Sequence, residues 1–245
     1  MQIIAVAVIK GGTGKTTTAA ALAQAAADAG KKVLAIDLDP QANLTKRLNA
    51  DRNRAGSYQL LHGAAAADVI QATAQGIDAI AASNALATEK TTPASATRLQ
   101  AAIEPLKKEY DFIVIDTPPH MGEMTFNAIQ AATGLLIPLE ADIDSLQGLY
   151  DIVEIAKHLQ HSNPQLSIIG TIITRFDTRS KLNRHFREVI ANKGEQIGAP
   201  LIMTIRPGIA IKEAGAMQLS IYKYAPNSNP AQDYKKLYNI ITTED

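Results

Sequence analysis

Lys10-Gly11-Gly12-Thr13-Gly14-Lys15-Thr16-Thr17 brings two lysines, three glycines and three threonines into eight residues. Small residues in such a run let backbone N–H groups turn inward on an anion. A helix starting at the end of the run adds its partial positive charge. Lys15 is spaced to reach the β- and γ-phosphates of a nucleotide, and the Thr16 hydroxyl to ligate magnesium. The strict pattern G-x-x-x-x-G-K-[ST] is not met. Ile9 stands five residues before Gly14, and a second lysine, Lys10, heads the loop. A lone Gly-Lys-Thr is equally compatible with a plain strand-to-helix turn, so the reading leans on two further segments.

The first is Ile36-Asp37-Leu38-Asp39-Pro40-Gln41. Parallel strands deliver their carboxyl ends to the ligand crevice, so these carboxylates are expected near the phosphates. Asp39 is the candidate to orient an attacking or magnesium-bound water, although Asp-Pro also suits an ordinary strand end. The second is Phe112-Ile113-Val114-Ile115-Asp116-Thr117-Pro118-Pro119. Four apolar residues followed by Asp116 form a Walker B strand whose carboxylate holds magnesium through water. Together the three segments predict a site for ATP and Mg2+, with Lys10, Lys15 and Asp39 as its catalytic side chains. Gly11, Gly12, Thr13, Gly14, Thr16 and Thr17 complete the phosphate cradle, and Thr16, Asp39 and Asp116 attend the metal.

Arg175, Arg179, Lys181, Arg184 and Arg187 lie close together, against one acid, Asp177. A helix from Arg179 turning about 100° per residue puts Leu182, Phe186, Val189 and Ile190 on one face. Arg184 then points away from that face, between Lys181 and Arg187. The plain reading is a solvated surface. The alternative is a cationic stripe for a polyanion.

The elements that must position these groups alternate between short β-branched runs and helical patterns, which predicts a mostly parallel twisted α/β sheet with helices on both faces. Expected strands are Ile3–Ile9, Val33–Asp37, Phe112–Asp116, Gly134–Leu139, Ile168–Ile173 and a shorter one near Leu201–Ile205. The stretch from Thr16 to Ala29 reads as a helix stopped by Gly30. The alanine-rich Ala64–Ala87 is punctuated by Val69-Ile70, Ile77 and Ile80, so it reads as short packed elements. Asn229-Pro230 supplies an N-cap and a first-turn proline for a last helix to about Ile241. No internal repeat or boundary is visible, and one domain over 1–245 is expected.

The 245 residues are 46% hydrophobic, which suits a globular chain. Neither a membrane-length apolar run nor a signal peptide is legible, so a cytoplasmic location is expected. The absence of cysteine excludes disulfides, thiolate chemistry and Cys-ligated metal centres. With 24 basic and 24 acidic residues the net charge is zero, so attraction to a nucleic acid needs a local patch.

The chain resembles the ParA/Soj partition ATPases, within the wider MinD-type deviant Walker A group. The resemblance is carried by Lys10–Thr17, Asp37–Thr45 and Tyr110–Pro119. It runs more weakly through Tyr58–Leu61, Asn127-Ala128, Gln147-Gly148 and Lys212–Ala214. It implies that Lys10 crosses a dimer interface to the partner subunit's ATP and that Asp39 supports hydrolysis. It also implies an ATP-dependent homodimer on non-specific double-stranded DNA, nucleoid association, and a ParB-like activator protein. Members often carry Pro-Arg-Asn near the adenine. Here Arg206-Pro207-Gly208 stands instead, leaving Pro207 as the candidate base contact. Two rivals share the fold. A MinD-like membrane-associated or protein-cargo positioning ATPase would need a basic amphipathic C-terminus for the membrane, and this tail ends in Glu244-Asp245. A metabolic ligase of the dethiobiotin synthetase type would leave Lys10 and the basic stripe without a role. Nitrogenase-reductase-like electron transfer is excluded by the missing cysteines.

Overall fold

Asp37 and Asp116 lie side by side at the carboxyl ends of two neighbouring strands, and the sheet is built around that juxtaposition. A computed structural model describes residues 1–88 and 96–243. Its eight strands are β1 (Gln2–Val6), β2 (Val33–Asp37), β3 (Ile70–Ala72), β4 (Asp78–Ile80), β5 (Phe112–Asp116), β6 (Gly134–Leu139), β7 (Ser167–Ile173) and β8 (Leu201–Thr204). They lie in the order β3-β4-β2-β5-β1-β6-β7-β8, parallel throughout except for β3 against β4. The central register sets Val6 opposite Asp116 and Asp37 opposite Asp116, so three strand ends converge.

Each central strand is apolar on both sides because both faces are covered. Ile3, Leu34, Ile36, Ile113 and Ile115 point into one core, while Ile4, Val6, Ala35 and Val114 point into the other. The second core is roofed by α1 (Lys15–Asp28) and a C-terminal helix, Asn229–Thr242. Most of the residues that α1 buries there are alanines, packed with Leu22, and their small side chains let the helix lie close on the sheet.

Most expected elements form. The first strand is shorter than its apolar run, ending at Val6, because Ala7, Val8 and Ile9 must carry the chain off the sheet into the glycine loop. The alanine-rich stretch does fold into short packed pieces: a helical turn at Ala66–Val69, then the β3–β4 hairpin with Gly76 at φ 72° in its turn. Buried Ile77 and Ile80 anchor that hairpin. The last helix takes Ser228, one residue earlier than expected, as its N-cap. The acidic end, Glu244-Asp245, lies outside the described residues. Among the described residues no helix is long and apolar enough to cross a membrane.

Candidate nucleotide site

The loop between β1 and α1 is shaped by its glycines. Gly12 and Gly14 have φ of 81° and 91°, a left-handed backbone that residues with a Cβ rarely adopt. Gly14 also packs closely, since a Cβ there would lie 3.3 Å from the Thr174 methyl. Lys15, the first residue of α1, turns its ammonium back to donate to the carbonyl of Lys10 at 2.6 Å. Burial lowers its pKa, and Asp116 and Asp39 oppose that shift. Gly11, Gly12, Gly14, Lys15, Thr16 and Thr17 line one cleft of about 310 Å³, and Asp39, Gln41, Asn43, Pro119 and Arg175 close it. Thr13 differs from its neighbours: its side chain is wholly buried and its hydroxyl has no partner among the described residues.

The carboxylates divide into a structural one and a free one. Asp37 accepts the N–H of Asp39 at 3.0 Å, the N–H of Thr45 at 2.8 Å and the Thr45 hydroxyl at 2.7 Å. Burial pushes its pKa up to about 6 against these hydrogen bonds. Asp37 thereby holds the chain segment that presents Asp39, whose own Oδ1 accepts from the N–H of Gln41 at 2.9 Å. Asp116 is wholly buried, and neither carboxylate oxygen has a hydrogen-bond partner among the described residues. Burial first, and the Asp37 charge second, raise its pKa well above the ordinary range. The Thr16 hydroxyl is near enough to offset part of this without the geometry of an ordinary hydrogen bond.

An orphaned buried carboxylate is costly unless a cation completes it. Asp116 beside Thr16 therefore fits a hydrated magnesium ion, with Asp39 at the cleft wall as a further water-mediated contact. Bound there, magnesium would neutralise charge on the outer phosphates. Among the described residues no group of three or more His, Cys, Asp or Glu is placed to hold a metal ion.

Lys10 is held within its own chain. Its ammonium reaches both oxygens of Asp142, at 2.7 and 2.6 Å, on the segment after β6. Burial raises the Asp142 pKa, but hydrogen bonds from Lys10 and Ser145 outweigh it and hold the carboxyl below its usual range. The pair is partly solvated, with side chains 21% and 37% exposed.

A second cleft of about 560 Å³ opens beyond Gly14 and Thr17, and Pro207 is among the residues that line it. Gly208, Ile209, Arg47 and Tyr234 also line it. Arg206 is committed elsewhere: its guanidinium forks onto Asp233 at 2.9 and 2.7 Å, and its N–H meets the same carboxylate at 2.9 Å. Arg206 still lines the cleft beside Pro207 and Gly208, with its guanidinium fixed by that fork. Sequence reasoning does not single out Arg47 or Asp142. Asp142 has a signal, since Glu140-Ala141-Asp142 follows a strand as Asp37-Leu38-Asp39 ends one. Arg47 has none, because its placement depends on Thr17, 3.4 Å away across the fold.

The basic residues expected to act together are split by the structure. Lys181, Arg184 and Arg187 lie exposed on the helix Lys181–Ile197. Arg184 is tied to the Thr178 carbonyl at 2.6 Å, while Lys181 and Arg187 have no ion-pair partner among the described residues. Arg179 precedes the helix and pairs with Asp177 at 3.0 Å. Arg175 is not on this surface at all; it reaches Gly12 and Glu140 beside the phosphate loop. The expected apolar face also needs correction, because Leu182 is 61% exposed. Only the later part of the helix is seated on the body, through buried Ile190 and Gly194, so its first turn overhangs.

A family model described as an AAA domain matches residues 1–168. The chain is 33% identical over 237 residues to the chromosome-partitioning ATPase Soj of Thermus thermophilus, covering 96% of this chain and 92% of that one. A Cyanothece McdA variant solved as a complex with ATP superimposes with a TM-score of 0.85 at 26% identity, covering 100% and 99% of the two chains. Cobyrinic acid a,c-diamide synthase from Mycobacterium smegmatis, solved with ADP and magnesium, gives 0.80 at 26% identity over 98% and 93%.

Proposed function

The chain belongs to the ParA/Soj family of ATPases, and on that premise we propose that it is a nucleotide switch for DNA partition. ATP with Mg2+ occupies the cleft above Lys15 and Asp116 and closes a homodimer. The closed dimer sits on non-specific double-stranded DNA in the cytoplasm, associated with the nucleoid. A ParB-like partner stimulates hydrolysis, which releases the DNA. Unstimulated turnover is slow, because the cleft positions phosphates and a water but offers no strong base.

The observation that carries this reading is Lys10. It heads the phosphate loop, one residue before the cleft-lining Gly11, and the within-subunit role is already filled by Lys15. Among the described residues its only charged tether is the partly solvated Asp142. Two ATP molecules facing each other repel strongly, and a lysine delivered from each subunit to the other's phosphates removes that repulsion. Dimerisation then depends on the nucleotide. The test is sedimentation velocity with ATP and magnesium, with ADP, and without nucleotide, followed by DNA binding under the same three conditions. A dimer and DNA binding seen only with ATP support the switch. A nucleotide-independent state of assembly with unchanged DNA affinity overturns it.

A further inference from the structure

We propose that Arg175 is a nucleotide-binding residue that meets the α-phosphate of the bound nucleotide; this rests on the ATP reading of the cleft. Two successive residues at the end of β7 are laced onto the phosphate loop. The Thr174 hydroxyl donates to the Thr13 carbonyl at 2.9 Å, and the Arg175 guanidinium donates to the Gly12 carbonyl. The other arm of Arg175 is fixed by Glu140 at 2.6 Å.

The backbone at Arg175 is left-handed, with φ 52°. That conformation disfavours a residue with a Cβ and persists where surrounding contacts demand it. Here it aims the side chain back over the loop instead of outward along the basic helix. Arg175 lines both clefts, the phosphate cleft and the base-side cleft, a property it shares with Gly14 and Thr17. Residues common to both spaces mark where a nucleotide passes from one to the other, which is the α-phosphate.

Charge supports the assignment. Lys15 faces the buried carboxylates of Asp116 and Asp39, and Lys10 is paired with Asp142. A polyphosphate entering this acidic cleft needs a further cation from its own subunit, and the planar guanidinium, with five donors, suits phosphate oxygens better than a point charge. The contacts to Gly12 and Glu140 engage one donor on each terminal nitrogen and leave the remaining N–H groups of the fork for a phosphate oxygen. An α-phosphate contact is common to ADP and ATP, so it contributes equally to both.

The experiment measures ADP and ATP affinity by calorimetry for wild type, Arg175→Gly and Arg175→Lys. Glycine accepts the left-handed backbone, so Arg175→Gly removes the side chain without adding strain. The expected result is a loss of roughly tenfold or more for ADP and ATP alike, the scale of a charge-assisted hydrogen bond. Arg175→Lys is expected to recover part of it, and the salt dependence of ADP binding to flatten in Arg175→Gly. Glu140→Gln separates binding from propping. If Arg175 only braces the loop through Glu140, this variant loses affinity as Arg175→Gly does; if Arg175 binds phosphate, affinity holds or rises. Arg175→Gly with unchanged ADP and ATP affinity, or with DNA binding lost and nucleotide affinity intact, overturns the proposal. Wild-type protein that binds neither nucleotide would instead sink the ATP reading beneath it.

Discussion

The ammonium of Lys10 sits 2.6 Å from a carboxylate oxygen of Asp142 in the same chain, so the lysine at the head of the loop is folded back onto its own subunit. An ion pair this exposed contributes about 0.2–1 kcal/mol, much less than a charge-dense polyphosphate offers the same lysine. Facing subunits can therefore draw Lys10 off Asp142 at small cost. Lys10→Ala is expected to bind ATP as a monomer like wild type and to lose the ATP-dependent dimer. Asp142→Asn is expected to shift dimerisation to lower protein concentration with ATP. Sedimentation equilibrium across a concentration series reads both. A Lys10→Ala dimer as stable as wild type would remove the trans role.

Lys15 is the side chain on which polyphosphate binding is expected to depend most. It is 6% exposed, and its ammonium already points along the loop to the Lys10 carbonyl. Lys15→Ala or Lys15→Gln leaves the backbone dipoles to hold the β- and γ-charges alone. ATP affinity in calorimetry is expected to fall by two orders of magnitude or more, on the order of 3 kcal/mol for removing a charge-assisted hydrogen bond from a partly desolvated site. Unchanged affinity would end the ATPase reading.

Asp39 and Asp37 differ by two positions and are expected to fail differently. Asp39 lines the cleft, so Asp39→Ala is expected to leave ATP-dependent dimerisation intact and to slow hydrolysis at least about a hundredfold, the usual worth of a positioned acid–base or water-orienting group. Asp37 accepts three hydrogen bonds that hold the Asp39 segment. In Asp37→Asn the amide presents a donor toward donors, which is expected to cost about 1–3 kcal/mol of stability and lower the melting temperature. Phosphate release and thermal melting, measured on both variants, separate the two roles. An Asp39→Ala protein with full turnover would move the chemistry to another group.

The parts of this site that are legible from sequence are those written in contiguous residues. Lys10–Thr17, Asp37–Asp39 and Asp116 each follow a run of apolar residues that can only be a buried strand, and parallel strands bring such ends together. Such apolar runs also give the bounds of β2, β5 and β6 as observed, while β3 and β4 are not singled out as strands. What is not legible depends on partners distant along the chain. Nothing near Arg206 announces Asp233, yet their fork fixes the segment that lines the second cleft. Spacing groups Arg175 with Arg179 and Lys181, but its left-handed backbone accompanies a side chain laid against Gly12 and Glu140. Leu182 fits the helical periodicity and still stays exposed, because periodicity says which residues share a face and not where the face ends.

Asp116 ties the metal to stability. Both its oxygens are buried without a donor, and burial pushes its pKa well up, so the nucleotide-free fold carries an unfavourable carboxylate. Asp116→Asn removes that burden while weakening the metal site. It is expected to melt no lower than wild type without nucleotide, yet to gain little from ATP and magnesium together. Wild type is expected to gain several degrees from the pair and less from ATP with a chelator. Calorimetric melting under these conditions checks it. An Asp116→Asn protein stabilised by magnesium nucleotide as strongly as wild type would place the metal elsewhere.

The basic helix offers a polyanion three residues instead of five. Lys181, Arg184 and Arg187 remain exposed on one helix, while Arg179 is partly neutralised by Asp177 and Arg175 belongs to the loop. Phosphates carry no sequence code, so replacing the three with glutamate is expected to weaken binding to unrelated duplexes equally. Log affinity falls with log salt by about 0.9 per phosphate neutralised, and a two-fold dimer that neutralises three phosphates per subunit gives a slope near −5. The triple variant is expected to show a much flatter slope, and ADP to abolish the difference, since only the closed dimer sets both helices against one duplex. Fluorescence anisotropy over a salt series, on two sequences and with each nucleotide, reads all three effects. A triple variant that binds like wild type would return this helix to an ordinary solvated face. The DNA surface would then have to be sought near Lys212, Lys235 and Lys236, which lie toward the other end of the chain.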